Sequence, residues 1–194
     1  GDTVTYAAWG QAVEGCARGL AGRGLEGAER VAVYLPKQFE TVIGLFGTAT
    51  AGGAFVPVNP VLKPAQVGYI LQNAGARALI TSVERARLLS EVLSSGCHDL
   101  RWLVIVDGDP GELPPAIARL AIRWDDLIAG RLGTAAPQRR IDTDLVAILY
   151  TSGSTGHPKG VVLSHRNMVA GARAVAEYLE NTADDRLLAV LPFS

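Results

Sequence analysis

Four short apolar runs, separated by stretches of helical period, constrain this chain more than any other feature. They are VAVYL at residues 31–35, AFVPV at 54–58, RALIT at 77–81 and WLVIV at 102–106. Runs of this length without polar alternation read as strands buried on both faces. Pro57 marks an edge or the end of the second run. Residues 6–23 carry Ala8, Trp9, Ala12, Val13, Cys16, Ala17 and Leu20 at helical spacing, closed by Gly22 and Gly24. Residues 38–51 read as a second helix, stopped by Gly52 and Gly53. Pro64 opens a third helix that runs to Asn73 and ends at Gly75. Residues 83–95 read as one amphipathic helix on Val83, Ala86, Leu88, Leu89, Val92 and Leu93. Strands that alternate with helices of this length specify an α/β fold, doubly wound around mostly parallel sheets.

Residues 107–140 break this rhythm. DGDPGELPP is rich in turn residues. A short helix is expected over 124–129, and Ile122, Trp124 and Leu127 call for burial, so the segment reads as a connection and not a disordered linker. Further on, Ser164 suits the N-cap of a helix over 165–179, with Val169, Ala172, Val175, Ala176 and Leu179 on its apolar face. RLLAVLP at 186–192 reads as a last strand.

Composition excludes several classes. Of 194 residues, 48% are hydrophobic, which is enough for a buried core and argues against disorder. The net charge is −1 with no long basic run, so no nucleic-acid partner is expected. Arg139 and Arg140 are too short a pair to form a basic patch and read as a solvated loop. No run approaches the ~18 apolar residues of a membrane span. The N-terminus lacks the pattern of a signal peptide. The two cysteines, Cys16 and Cys97, show no CxxC spacing. Cys16 reads as a small buried hydrophobe and Cys97 as part of a loop, with no disulfide framework or zinc site. A reducing, cytoplasmic compartment is expected. The single methionine is Met168, and the chain stops at LPFS directly after an apolar run. It reads as a piece of a longer chain.

The stretch that carries chemistry is YTSGSTGHPKG, residues 150–160. Gly153, Gly156 and Gly160 let the backbone approach a ligand closely and turn. Successive N–H groups in such turns form a concave nest of donors. Thr151, Ser152, Ser154 and Thr155 add hydroxyls, and Lys159 adds a full positive charge. The set suits a polyphosphate better than a single carboxylate. The plain alternative is a hairpin turn built from ordinary turn residues. A hairpin needs two to five residues, however, and this loop has about nine. It is not a Walker A loop, because Pro158 precedes Lys159, Gly160 follows it, and a strand follows the loop in place of a helix.

YTSGSTGHPKGVVLSHRN resembles the phosphate-loop signature of the adenylate-forming (AMP-dependent synthetase/ligase) superfamily, on Thr151, Ser152, Gly153, Ser154, Thr155, Gly156, Pro158, Lys159 and Gly160. TYAAW at 5–9, ERVAVYLPKQFETVIGLFGTATAGGAFVPVNP at 29–60 and YILQNAGARALIT at 69–81 are similar to successive upstream blocks of the same family. The resemblance covers nearly the whole chain and is weakest over 107–140. It implies the N-terminal part of an enzyme large domain: a first α/β part over 1–106, a connecting segment over 107–140 and the phosphate-loop part over 141–194, with the C-terminal domain absent.

The implied activity is that of an acid–thiol ligase. A carboxylic acid and ATP give an acyl-adenylate and pyrophosphate, and the acyl group then passes to the thiol of coenzyme A. By the same resemblance, Ser154, Thr155 and Gly156 contact phosphate directly, while Thr151, Ser152 and Gly153 shape the entry to the loop. Lys159, with Thr155, is the candidate catalytic group, and Mg²⁺ is expected to share the charge. Metal-holding residues are not identified. His157 reads as a solvated loop residue and His165 as structural, while His98 has no visible partner. The family's adenine, ribose and acid pockets lie downstream of residue 194, so the chain alone is expected to be inactive. Asn59 stands where peptide-synthetase adenylation domains more often carry Asp. That favours an acyl-CoA synthetase, in its finest form the exosortase-associated acyl-CoA ligase type. An amino-acid adenylation domain of a peptide synthetase and a non-catalytic nucleotide-binding protein are the alternatives. The acid and the oligomeric state are not legible.

Overall fold

The computed structural model describes residues 3–129, 139–151 and 158–193. Seven strands form one sheet: β1 (Arg30–Tyr34), β2 (Ala54–Pro57), β3 (Ala76–Thr81), β4 (Trp102–Ile105), β5 (Ala121–Arg123), β6 (Leu145–Thr151) and β7 (Lys159–Ser164). Their order is β5-β4-β3-β1-β2-β6-β7. Every neighbouring pair is parallel except β6 and β7. The expected α/β class is thus the observed one.

Among the described residues, eight α-helices join and follow these strands: α1 (Tyr6–Gly22), α2 (Phe39–Ala51), α3 (Pro64–Ala74), α4 (Val83–Leu88), α5 (Ser90–Ser95), α6 (Pro115–Ala118), α7 (Trp124–Ile128) and α8 (His165–Tyr178). The Thr5 hydroxyl caps α1 by accepting from Ala8 N at 3.2 Å. Gly52 and Gly75 end α2 and α3 in the left-handed region, at φ 88° and 58°, where a side chain would be strained.

Strand alternation divides the core in two. Tyr34, Val56, Leu79, Leu103 and Ile105 bury one sheet face against Val67, Ile70, Leu71, Leu89, Leu93 and Ile117. Val31, Val33, Ala78, Ile80 and Val104 bury the other against Val13, Cys16, Leu20, Ile43, Trp124 and Leu127. The connection from β1 to β2 therefore runs on one face and that from β2 to β3 on the other. The chain also reverses its direction across the sheet between them, so both crossovers keep one hand.

Several expectations change. Residues 83–95 form two helices that meet at Leu89, not one. The bend keeps Ala86, Leu89 and Leu93 in the core and leaves Leu88 63% exposed. Within 107–140 the chain adds an edge strand, β5, and a short helix, α6; the helix expected over 124–129 forms as α7, and Ile122, Trp124 and Leu127 are buried as expected. Arg140 is not a solvated loop residue. Its guanidinium fills the space beside Gly27 and Gly52 and lies 3.8 Å from Asp144.

Residues 186–192 are not a strand. Their apolar side chains at 187, 188, 190 and 191 are between 73 and 88% exposed. A strand needs a partner for its ladder, and no described strand pairs with this segment. Lys37 Nζ donates to the Ala189 carbonyl and stands 5.8 Å from the Phe193 ring centre. Helix α8 forms where expected, yet buries none of its residues.

Candidate functional site

Strands β6 and β7 are an antiparallel hairpin with Tyr150 opposite Gly160 and Thr151 opposite Lys159. The hairpin alternative is therefore right about topology. Seven residues, 152–158, lie between the last paired positions, Thr151 and Lys159, which is longer than tight closure requires. Directly opposed residues send their side chains to the same face of a sheet. The Thr151 hydroxyl and the Lys159 ammonium thus leave together, both exposed, at the point where the loop begins and ends. Ser152, Gly153, Ser154, Thr155, Gly156 and His157 lie outside the described residues.

Both strands are held from below. Ile141 N donates to Asp144 Oδ2 at 3.1 Å, and His165 N donates to the Asp144 carbonyl at 3.1 Å. Arg166 binds Asp142 through its guanidinium at 2.7 Å, which ties the start of α8 to the approach of β6. The Ser164 hydroxyl accepts from Asn167 N at 3.2 Å, and Asn167 Oδ1 accepts from Ser164 N at 3.0 Å, a reciprocal cap at the β7–α8 corner. His165 sits in the first turn, its Nε2 enclosed by protein. His98 is exposed.

Beside the loop, a cleft of about 310 Å³ opens between the carboxyl ends of β2 and β6. Pro57, Asn59, Gln66, Tyr150, Thr151 and Pro158 are among its lining residues. Its position follows from the winding. The chain leaves β2 through α3 toward β3 and leaves β6 the opposite way into β7, and a crevice opens where such connections diverge. Asn59 Oδ1 accepts from Val61 N at 3.1 Å, and Gln66 Oε1 accepts from Lys63 N at 3.0 Å. Each amide therefore keeps its NH₂ as a donor.

Thr151 and Lys159, singled out in the sequence, are thus opposed at the hairpin base, and beside them Tyr150 makes a contact that the sequence does not signal. Its hydroxyl donates to Asn73 Oδ1 on α3 at 2.6 Å. The two residues are 77 positions apart, so no local pattern pairs them. Burial is the main cause that pushes the phenol above its ordinary pKa; Tyr69 adds to the rise and Arg30 opposes it.

Against known proteins, the AMP-binding enzyme family model matches residues 1–194. A Mycobacterium tuberculosis protein, 3-[(3aS,4S,7aS)-7a-methyl-1,5-dioxo-octahydro-1H-inden-4-yl]propanoyl:CoA ligase, is 35% identical over 188 residues, covering 94% of this chain and 36% of that protein. Sulfoacetate–CoA ligase of Cupriavidus necator is 33% identical over 194 residues, covering 99% of this chain and 35% of that protein. Gramicidin S synthase 2 of Brevibacillus brevis is 29% identical over 194 residues, all of this chain and 4% of that protein. Among solved structures, ATP-bound MatB from Rhodopseudomonas palustris superposes with a TM-score of 0.77 at 26% identity, covering 99% of this chain and 36% of that one. The chain thus spans about a third of the length of these CoA ligases and a far smaller share of Gramicidin S synthase 2. The signature read at residues 150–167 and the match along the whole chain agree: this chain belongs to the AMP-binding enzyme family.

Proposed function

We propose that this chain is the N-terminal part of an AMP-forming acyl-CoA ligase, whose complete protein joins a carboxylic acid to coenzyme A at the expense of ATP. The three-part division, at 106 and 140, belongs to this proposal, as does a C-terminal domain beyond these residues. The observation that carries it is the hairpin base. Thr151 and Lys159 stand side by side at the two ends of a donor-rich loop, next to an open cleft.

In the proposed reaction the acid's carboxylate oxygen attacks the α-phosphorus of ATP. The bond from that phosphorus to the bridging oxygen breaks, and pyrophosphate leaves with the bonding pair. Catalysis of such a step is mostly positioning and charge stabilisation. Lys159 and the hydroxyl and N–H donors of Thr151, Ser152, Gly153, Ser154, Thr155 and Gly156 would hold the departing phosphates. One such donor contributes about 3 kcal/mol in a site that excludes water. The thiol of coenzyme A then attacks the acyl carbon, and AMP leaves. Mg²⁺ enters as the nucleotide's counter-ion. The described residues include no group of three or more His, Cys, Asp or Glu side chains able to hold a metal, and no step is assigned to it.

The CoA ligases among the relatives support this reading, as does Asn59 at the mouth of the cleft. The exosortase-associated type is its finest form. The second reading, an amino-acid adenylation domain, is supported by the similarity to Gramicidin S synthase 2. The described residues contain no helix long and apolar enough to cross a membrane, and a cytoplasmic setting is part of the proposal. Thioester formation by the full-length protein with coenzyme A, across fatty, aryl and amino acids, tests it. An acyl-CoA product supports the ligase. Adenylation of an amino acid without transfer to coenzyme A supports the second reading.

A further inference from the structure

The phosphate-loop hairpin is attached to the rest of the sheet by very little backbone. Ladder pairing between β2 and β6 consists of Phe55 opposite Ala147 alone among the described residues. Beyond that pair, β6 continues through Ile148, Leu149 and Tyr150 to the loop, paired with β7 only. A two-stranded ribbon of this kind twists and bends easily. Something else must set its angle.

Ile148 and Tyr150 pack against the core, and one side-chain hydrogen bond reaches the ribbon where it meets the loop. Tyr150 is the last residue of β6 before Thr151. It is partly buried, and its hydroxyl reaches Asn73 Oδ1 at 2.6 Å in the last turn of α3. That helix is fixed in the core by Val67, Ile70 and Leu71 and is closed by Gly75. Arg30, on the central strand β1, donates to the carbonyl oxygens of Ala74 and Gly75, the latter at 2.9 Å, and so holds the end of α3 that presents Asn73. On the hairpin side, Gly160 faces Tyr150 in register. A Cβ there would stand 2.8 Å from Ile148 Cγ2 and 3.2 Å from Tyr150 Cζ. The bare glycine is what lets the tyrosine ring lie across β7.

We infer that Tyr150 and Asn73 are positioning residues: their hydrogen bond is a strut from α3 that sets the angle of the hairpin and so the placement of Thr151 and Lys159. The functional part of this inference rests on the proposed adenylation reaction; the mechanical part does not. Neither residue was singled out as a site residue by the sequence. The strut acts through the loop, so its loss falls on the step in which the loop grips leaving phosphates and not on acid binding.

The test uses the full-length protein with three substitutions. Tyr150→Phe keeps the ring and removes the donor. Asn73→Ala removes the acceptor, and Asn73→Asp keeps one. Pyrophosphate exchange is measured with saturation curves for ATP and acid, alongside amide hydrogen exchange over 151–162. Tyr150→Phe and Asn73→Ala are expected to lower kcat about tenfold, the effect of one lost hydrogen bond, with KM for the acid unchanged. Amide exchange over 159–162 should quicken. The double variant should be no worse than either single one, and Asn73→Asp should restore kcat.

A merely structural contact would change the melting temperature but leave kcat per folded molecule and amide exchange in the hairpin as in the wild type. That result overturns the strut, as does additive loss in the double variant. If the wild type shows no pyrophosphate exchange while Tyr150→Phe still quickens amide exchange over 159–162, the adenylation reading fails and the strut stands.

Discussion

Thr151 and Lys159 face each other as the last register pair of the β6–β7 hairpin, one at each end of the loop that joins the strands. The pairing puts the two side chains on the same face of the hairpin although eight positions separate them in sequence. Thr151 lines the cleft between the ends of β2 and β6, and the Lys159 side chain is exposed and not within the core.

Replacing Lys159 by alanine should therefore leave folding intact, because the side chain is exposed. It should lower the adenylation rate of the full-length protein by about 10²-fold, the effect of one donor in a site that excludes water. Pyrophosphate exchange and thermal melting, measured on the same sample, check both halves. A non-catalytic nucleotide-binding protein would show no change in any activity.

Gly160→Ala should destabilise the hairpin. The new methyl would meet Ile148 Cγ2 at 2.8 Å, and overpacking of this kind costs about 1–3 kcal/mol. Urea denaturation should show a lower midpoint with an unchanged slope.

Helix packing gives a stronger version of the same effect at Gly19. A Cβ there would collide with the Leu127 carbonyl oxygen and stand 2.8 Å from Leu127 Cδ1. Backbone cannot give way as a flexible side chain can. Gly19→Ala should cost at least about 3 kcal/mol, the upper end of overpacking losses, and Gly10→Ala, which meets nothing nearby, should not.

Much of this architecture was legible because each signal was local. A β-branched run, a helical period and a closing glycine all fall within a dozen residues, and α1, α2, α3 and β1 to β4 follow them closely. What was missed depends on distant partners. β5 is three residues long and exists because β4 accepts it. Residues 186–192 carry strand composition but find no ladder among the described residues. Arg140 is held by the absence of side chains at Gly27 and Gly52, far back in the chain. In the candidate site, Thr151 and Lys159 stand out from the composition of the loop alone. Asn73 became visible only once the fold brought α3 beside β6.

The two thiols make stability sensitive to alkali. Burial pushes Cys16 up to about 12 and Cys97 up to about 11, from an ordinary value of 9.0. A raised pKa means the folded state keeps its proton where the unfolded state has lost it. The stabilisation is complete below pH 9 and is lost as pH rises through about 11 and then 12. Denaturant midpoints should fall across that window. At pH 8 a thiol reagent should leave Cys16, which has no exposed surface, unmodified until the protein unfolds.

The most direct measurement is acid-dependent ATP–pyrophosphate exchange, run in parallel on the full-length protein and on these 194 residues alone. Exchange with one class of carboxylic acid is expected in the first and none in the second, because the chain spans only about a third of its CoA-ligase relatives. Silence across fatty, aryl and amino acids in a full-length protein that still binds ATP would contradict the ligase reading. Exchange by the 194 residues alone would contradict the claim that they supply the phosphate loop without the rest of the site.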